Sequence, residues 1–423
     1  MIKNTLFFIV LICISFSNLI AQQKNKCSSV KIREHRMTED SSLFLRIQNS
    51  ENETKKWILD HPKTNKSGQI ITIPVVVHVV YNTIAENISD AQIFSQIEIL
   101  NQDFRLKNTN ALPTNHPYYQ FTADTEIEFC LAIKDPLGNT TSGITRTKTN
   151  QVSFSDADDK VKYGIKGGVD NWDPTKYLNL WVCNLTGDLL GYATFPSDLT
   201  NFKSSDGVVI RHQAFGNTGT AGNEGFTVNS IGRTATHEIG HWLNLNHIWG
   251  DANCGDDLVD DTKPSKAENY DCPSFPFNAN SCSGTGANGE MFMNYMDYVN
   301  DDCMSMFTTG QGLRMHAALN GDRKSLLTSN GCGKASLNEF FDANSFTIYP
   351  NPSEGSFEIN TQLKNLKGLK IEIVNLLGEQ LIKFSTIQNF PYQVNLKDLS
   401  NGGYFVKISD EKAIITRKIF ISK

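Results

Sequence analysis

His237-Glu238-Ile239-Gly240-His241, with His247 six residues further on, is the part of this chain whose residue types and spacing could do chemistry. Residues four apart on a helix share a face, so His237 and His241 can offer two imidazoles to one metal ion. Glu238 then stands beside the ion, placed to act on a metal-bound water rather than on the metal. His247 can complete the set only if the helix ends after His241 and the chain reverses. Asn244 stands where that reversal must occur, and Asn adopts left-handed backbone more readily than most residues. Zn²⁺ held by three protein ligands keeps a position open for water and lowers that water's pKa to about 7. Attack by the zinc-bound water, with Glu238 as general base, would hydrolyse a peptide bond. A structural zinc, as in a binding protein or adhesin, would fill all four positions with protein ligands. Another zinc hydrolase, such as an amidase, is the third alternative. An isolated HExxH arises by chance on surface helices; the third histidine argues against chance here.

These residues need elements to position them. Ser230 to Asn244 is the expected helix for His237 and His241. Ahead of it, ITIPVVVHVVY from Ile71 reads as a buried strand, and Asp90 to Leu106 as a helix with Ile93, Ile97, Leu100 and Phe104 on one face, capped by Ser89 or Asp90. Further strands are expected at Thr125–Ile133, Tyr177–Leu185 and Gly207–Arg211, and a closing helix at Thr309–Asn320. Residues 250–305 show no regular period and are rich in Asp, Asn, Gly and Cys. The order suggests an α+β domain: a twisted sheet with helices on one side, then an irregular lower part. Beyond residue 340, short strands alternate with turns such as Asn351-Pro352 and Asn401-Gly402-Gly403, the pattern of a small all-β sandwich.

The start of the chain sets the compartment. Lys3, an apolar run from Leu6 to Ile14 and the small Ala21 read as a secretory signal peptide over 1–21. Residues 22–68 are polar and look like a pro-region, with one or two helices between Ser41 and Ile58. No other stretch reaches the length of a membrane span. A formal net charge of -6 argues against a nucleic-acid partner, which would carry a concentrated basic patch. Of nine cysteines, Cys13 falls in the signal peptide. Cys254, Cys272, Cys282 and Cys303 cluster in an exported, loop-rich segment and suggest two disulfides, for which spacing leaves three pairings open. Cys130 and Cys183 sit in apolar strand-like runs and read as small buried hydrophobes.

IPVVVHVVY, HEIGHWLNLNHIWGD, CGDDLVDDT, MNYMDYVNDDCM and FTTGQGLRMH together resemble the pappalysin family of metzincins, in its short bacterial form, over roughly Ile70 to Leu327. The resemblance implies a metzincin-type catalytic domain over 69–332, with His237, His241 and His247 as zinc ligands and Glu238 as general base. It makes Met296 the Met-turn methionine packing beneath the metal, and gives Tyr298 a phenol that assists the transition state as an oxyanion donor. Metzincins usually carry Gly where Asn244 stands. The implied disulfides are Cys254–Cys282 and Cys272–Cys303. The implied structural Ca²⁺ site would draw on Asp257, Asp261, Thr262 and the Val259 carbonyl, hard oxygen donors of the kind Ca²⁺ takes; the alternative is a solvated acidic loop. YPNPSEGSFEI, NLLGEQL, LSNGGYFVKI and ITRKIFISK resemble the C-terminal sorting domain of the type IX secretion system, over 340–423. That implies export by its machinery across a gram-negative outer membrane, by way of the periplasm, to the surface or the medium. A monomer is expected.

Two regulatory expectations follow. A thiolate is a strong zinc ligand, so Cys27 can close the open zinc position in a latent zymogen, as related bacterial pappalysins suggest; the alternative is a disulfide from Cys27 to Cys332. Asp301, five residues after Met296, corresponds by resemblance to the acid on the floor of the pocket that receives the side chain after the scissile bond. Such a carboxylate favours Arg, and more weakly Lys; the alternative is that Asp301 or Asp302 is a solvated loop charge. Cleavage before basic residues would also allow self-processing at Arg33, Arg36 or Arg46.

Overall fold

The computed structural model describes residues 26–61, 70–332, 346–361, 369–375, 379–387, 389–409 and 414–423. The expected signal peptide, the pro-region at 22–25 and 62–68, and the boundary near 333–344 lie outside the described residues. The chain forms two compact units, 1–333 and 334–423.

In the first unit the described chain opens with two helices, α1 (Ser29–Glu39) and α2 (Leu43–Asp60). Strand β1 (Ile71–Tyr81) is buried over eight consecutive residues. It is central, with neighbours on both edges and cover on both faces, which is why its sequence is a continuous apolar run rather than an alternation. Helix α3 (Asp90–Phe104) starts where the Ser89 hydroxyl accepts the Gln92 N–H at 3.2 Å, an N-cap. Strands β2 (Ile127–Leu131) and β3 (Ile144–Lys148) follow one another along the same edge of β1. On its other edge come β4 (Leu178–Cys183), then β6 (Val208–Arg211), then β5 (Gly191–Ala193) at the margin. All pairings are parallel except that of β5 with β6. Helix α4 (Arg233–Trp242) carries the histidines. Helix α5 (Thr309–Asn320) is opened by a capping box between Thr308 and Gln311. Residues 250–305 hold no helix or strand longer than one 3₁₀ turn.

The α+β fold is therefore as expected. Strands β3 and β5 and helix α1 are additions to it. A correction concerns Cys130, which is no isolated hydrophobe: it is disulfide-bonded to Cys332, 202 residues away. That bond also removes the alternative of a Cys27–Cys332 bridge. Cys183 is a free, buried thiol. Cys254 pairs with Cys282 and Cys272 with Cys303. No helix of the described residues is long and apolar enough to cross a membrane.

The second unit has antiparallel strands β7 (Phe346–Tyr349), β8 (Ser356–Thr361), β9 (Leu369–Val374), β10 (Gln380–Ile387), β11 (Tyr392–Asn395), β12 (Gly402–Ser409) and β13 (Ile414–Ile421). They form two sheets, ordered β10-β9-β12-β13 and β11-β8-β7. Ile359 of one sheet and Ile371, Val406 and Ile419 of the other lie in a single core, so the two sheets pack as a sandwich.

Candidate active site

Helix α4 is buried along its whole length. It ends at Trp242, and Asn244 takes φ +74°. The Leu245 N–H closes onto the Gly240 carbonyl at 2.9 Å. The chain thereby reverses and carries His247 back to the face that holds His237 and His241. Each ring is fixed through Nδ1: His237 to the Tyr295 carbonyl at 2.7 Å, His241 to the Leu245 carbonyl at 2.8 Å, and His247 to the Asp251 carboxylate. A carbonyl or carboxylate on Nδ1 accepts its proton and leaves Nε2 as a bare lone pair. The Nε2 atoms of His241 and His247 lie 3.1 Å apart, and that of His237 has no hydrogen-bond partner among the described residues. Burial lowers the pKa of His237 to about 3 and that of His241 well below the usual range, which keeps both rings neutral. Two lone pairs that close repel unless a cation lies between them, so the donor set fits a metal ion. The ligand atoms of Cys27, His237, His241 and His247 all lie within 4.8 Å of one another.

Glu238 is outside that donor set and fully buried. Its Oε2 accepts the Ser29 hydroxyl at 2.8 Å and the Cys27 thiol at 3.4 Å, while Oε1 has no partner among the described residues. Burial pushes its pKa up to about 8, and the two hydrogen bonds pull it back only in part. Two glycines make the room. A Cβ on Gly191 would meet the Glu238 Cγ at 3.0 Å, and one on Gly240 would meet the Met296 Sδ at 2.5 Å. Met296 thus packs directly against the helix of the histidines, from a turn in which its N–H donates to the Asn294 side chain at 2.9 Å. The Tyr298 ring faces His237 and His247 at 5.6 and 5.1 Å, and its hydroxyl donates to the Cys27 carbonyl at 3.4 Å. Burial holds that phenol well above its ordinary pKa, so it remains a donor.

Asp301 is 2% exposed, whereas Asp302 is at the surface. Asp301 Oδ2 accepts the N–H groups of Ile231 and Arg233 at 3.1 and 3.2 Å. Among the described residues its Oδ1 receives only a long bond from Asn229, at 3.4 Å. It lines one cavity together with Lys26, Asn229, His237, Tyr298 and Met304. Lys26 extends into that cavity and donates to the Tyr298 carbonyl at 2.7 Å.

At the expected calcium loop, the Thr262 hydroxyl lies 2.8–2.9 Å from both Asp257 carboxylate oxygens and from the Val259 carbonyl. Asp261 turns elsewhere, its Oδ2 accepting the Gly310 N–H of α5 at 2.8 Å, although its Oδ1 has no partner among the described residues. Burial raises the pKa of Asp257 to about 7, a carboxylate that a cation would stabilise in its charged form.

The residues before β1 cross this site. Lys26 O accepts the N–H groups of Leu190 and Gly191, and the Ser29 hydroxyl accepts the Ala193 N–H at 2.8 Å, so the segment lies along β5. The helices that follow are pinned by Arg36 to Asp198, Arg46 to the Ser197 carbonyl, Ser50 to Asp322 and Glu51 to Arg314. The residues expected to allow self-processing, Arg33, Arg36 and Arg46, all lie on helices, and Arg36 is 4% exposed between two carboxylates. Cleavage at any of them requires the helix to open locally, since a protease takes an extended backbone. Sequence reasoning also missed Asp251, Ser29 and Lys26. Asp251 alone had a signal, an acid four residues after the third histidine.

Two family descriptions match the chain: "Pregnancy-associated plasma protein-A" over residues 165–320 and "Secretion system C-terminal sorting domain" over 347–422. An extracellular metalloprotease of Verticillium alfalfae is 32% identical over 256 residues, 58% of this chain and 75% of that protein. One of Arthroderma otae is 29% identical over 252 residues, 59% of this chain and 77% of that protein. Among solved structures, a promirolysin mutant of Tannerella forsythia is 44% identical with TM-score 0.64, covering 72% of this chain and 97% of that one. Mature mirolysin of the same organism with a cleaved peptide is 47% identical with TM-score 0.58, covering 62% and 96%. The chain belongs to the pappalysin family of metalloproteases, as a secreted member made as a zymogen and carrying a type IX secretion sorting domain.

Proposed function

We propose that this metalloprotease is a zinc-dependent endopeptidase that cuts before Arg, and more weakly before Lys. The observation that carries the reading is the convergence of three Nδ1-anchored imidazoles on one point, with a carboxylate beside them that is not a ligand. His237, His241 and His247 hold the ion, which when bound supplies Lewis-acid polarisation of water and of the scissile carbonyl. Glu238 receives the proton released from water on its free carboxylate oxygen and passes it to the leaving amine. Tyr298 donates its phenolic O–H to the oxygen that gains charge. Met296, against Gly240, supports the histidine helix from below. The catalytic domain is assigned to 69–332 and the pro-region to 22–68.

Specificity is assigned to Asp301. Its Oδ2 is tied to the backbone at the start of α4, which leaves Oδ1 for a cation entering the cavity, and the Cys272–Cys303 bridge holds the loop in place. Arg suits it best, because its planar fork binds a carboxylate bidentately. Peptide-library cleavage read by mass spectrometry should return Arg first and Lys second after the cut. Asp301→Ala should lower the Arg preference on the order of a hundredfold (~3 kcal/mol) and still cut other bonds slowly. A wild-type profile led by apolar residues would defeat this assignment.

Calcium is assigned to Asp257, Thr262, the Val259 carbonyl and Asp261, whose Oδ1 has no partner among the described residues. An ion bound only to the folded state stabilises it by mass action. A calcium-selective chelator should lower the melting temperature on the order of 5–10 °C and reduce activity with zinc still in place. No change in either would exclude a calcium site that matters.

A further inference from the structure

Arg36, in the pro-region helix α1, is driven into the body of the enzyme rather than left in solvent. One nitrogen donates to Asp198 Oδ2 at 2.9 Å, and the other to Asp159 Oδ2 at 3.0 Å and Ser205 Oγ at 2.8 Å. Its guanidinium carbon lies 4.7 Å from the centre of the Phe202 ring. Two carboxylates, a hydroxyl and an aromatic face are the full set of groups that recognise a guanidinium. All four partners come from residues after the pro-region. The Asp198 side chain is 1% exposed and its Oδ1 has no hydrogen-bond partner among the described residues. Beyond Arg36, its Oδ2 receives, among the described residues, only the Phe195 N–H, at 3.2 Å. Lys162 compensates Asp159, with its ammonium 3.2 Å from Oδ1. Asp198 is the carboxylate left without a counter-charge once Arg36 departs.

The cradle also lies along the cleft. Ser29, near the start of α1, touches Glu238, and seven residues of helix put Arg36 roughly 10 Å beyond it. Lys26, on the other side of Cys27, faces the Asp301 cavity. The segment thus runs from one acidic site, across the histidines, to a second.

We propose that Asp198, with Asp159, forms a second cation-accepting subsite of the matured enzyme, on the far side of the histidines from Asp301, which takes an Arg or Lys side chain of the substrate ahead of the cut bond. The inference rests on the endopeptidase reading and on Asp301 receiving the residue after the cut. An extended chain advances about 3.3 Å per residue, so ~10 Å corresponds to the third or fourth residue before the scissile bond.

The test uses enzyme matured from the full-length precursor and peptides with Arg after the cut, paired so that the third or the fourth residue before it is Arg or Gln. The Arg peptide should be favoured about tenfold in kcat/KM, the effect of one charge-assisted pair at a site open to water. Asp198→Asn should bring that ratio to about twofold or less, whereas Asp301→Ala should act on the residue after the cut. Equal kcat/KM for both peptides at both positions in the wild type overturns the subsite, whether or not the variant folds; a preference that survives Asp198→Asn also overturns it. If no peptide is cut, the endopeptidase reading fails and the subsite with it. Cutting without the upstream preference removes the subsite alone.

Discussion

Glu238→Ala in the matured enzyme should abolish peptide hydrolysis while one zinc per chain is retained. General-base assistance contributes about 10²–10⁴-fold, and the neighbouring carboxylates among the described residues are engaged elsewhere: Asp297 and the Oδ2 of Asp301 by backbone N–H groups, Asp251 by the His247 ring. Zinc should remain because the three imidazoles keep their Nδ1 anchors on Tyr295, Leu245 and Asp251. Metal analysis alongside kcat separates the two effects. Retained hydrolysis would sink the mechanism, and lost zinc would make Glu238 part of the metal site rather than the base.

Cys27→Ala should give a precursor that activates early, its lag shortened on the order of tenfold (~1.4 kcal/mol). The thiol lies among the three histidines and bonds Glu238, so it faces both the metal position and the base. Burial and the neighbouring carboxylate raise its pKa well above the ordinary value in the absence of a cation; a metal in contact would hold it as the thiolate. Latency should fall rather than vanish, because Ser29 still engages Glu238, and Arg36, Arg46 and Glu51 still pin the segment. Latency unchanged in the variant would refute the switch and leave the helices as the whole of the restraint.

Much of this was legible in the sequence, for reasons that differ by element. Helix α3 carries an apolar period, α4 its histidine spacing, and α3 and α5 have side-chain caps at Ser89 and Thr308, so their limits could be read to within a few residues. β1 announces itself by a β-branched run. Helix α1 does not, because it docks through charge: of its eleven residues only Ser29, Ile32 and Arg36 are buried, and one apolar contact leaves no periodic signal. β5 has three residues, Gly191-Tyr192-Ala193, and its existence depends on β6 beside it. The Cys130–Cys332 bond joins positions that only the folded sheet brings together, which is why Cys130 read as a packing residue. At the site, the histidines could be read because a helix fixes their spacing, whereas Ser29, Lys26 and Asp198 act across chain separations that no spacing encodes.

The proposed dependence of peptide hydrolysis on one zinc held by three histidines can be measured outright. Its most direct test is to strip the matured enzyme of metal with a chelator, restore calcium, and titrate zinc back while following cleavage of an Arg-containing peptide. Activity should rise linearly and level off at one zinc per chain. Full activity in the stripped enzyme, or a titration that levels off without restoring cleavage, would contradict it.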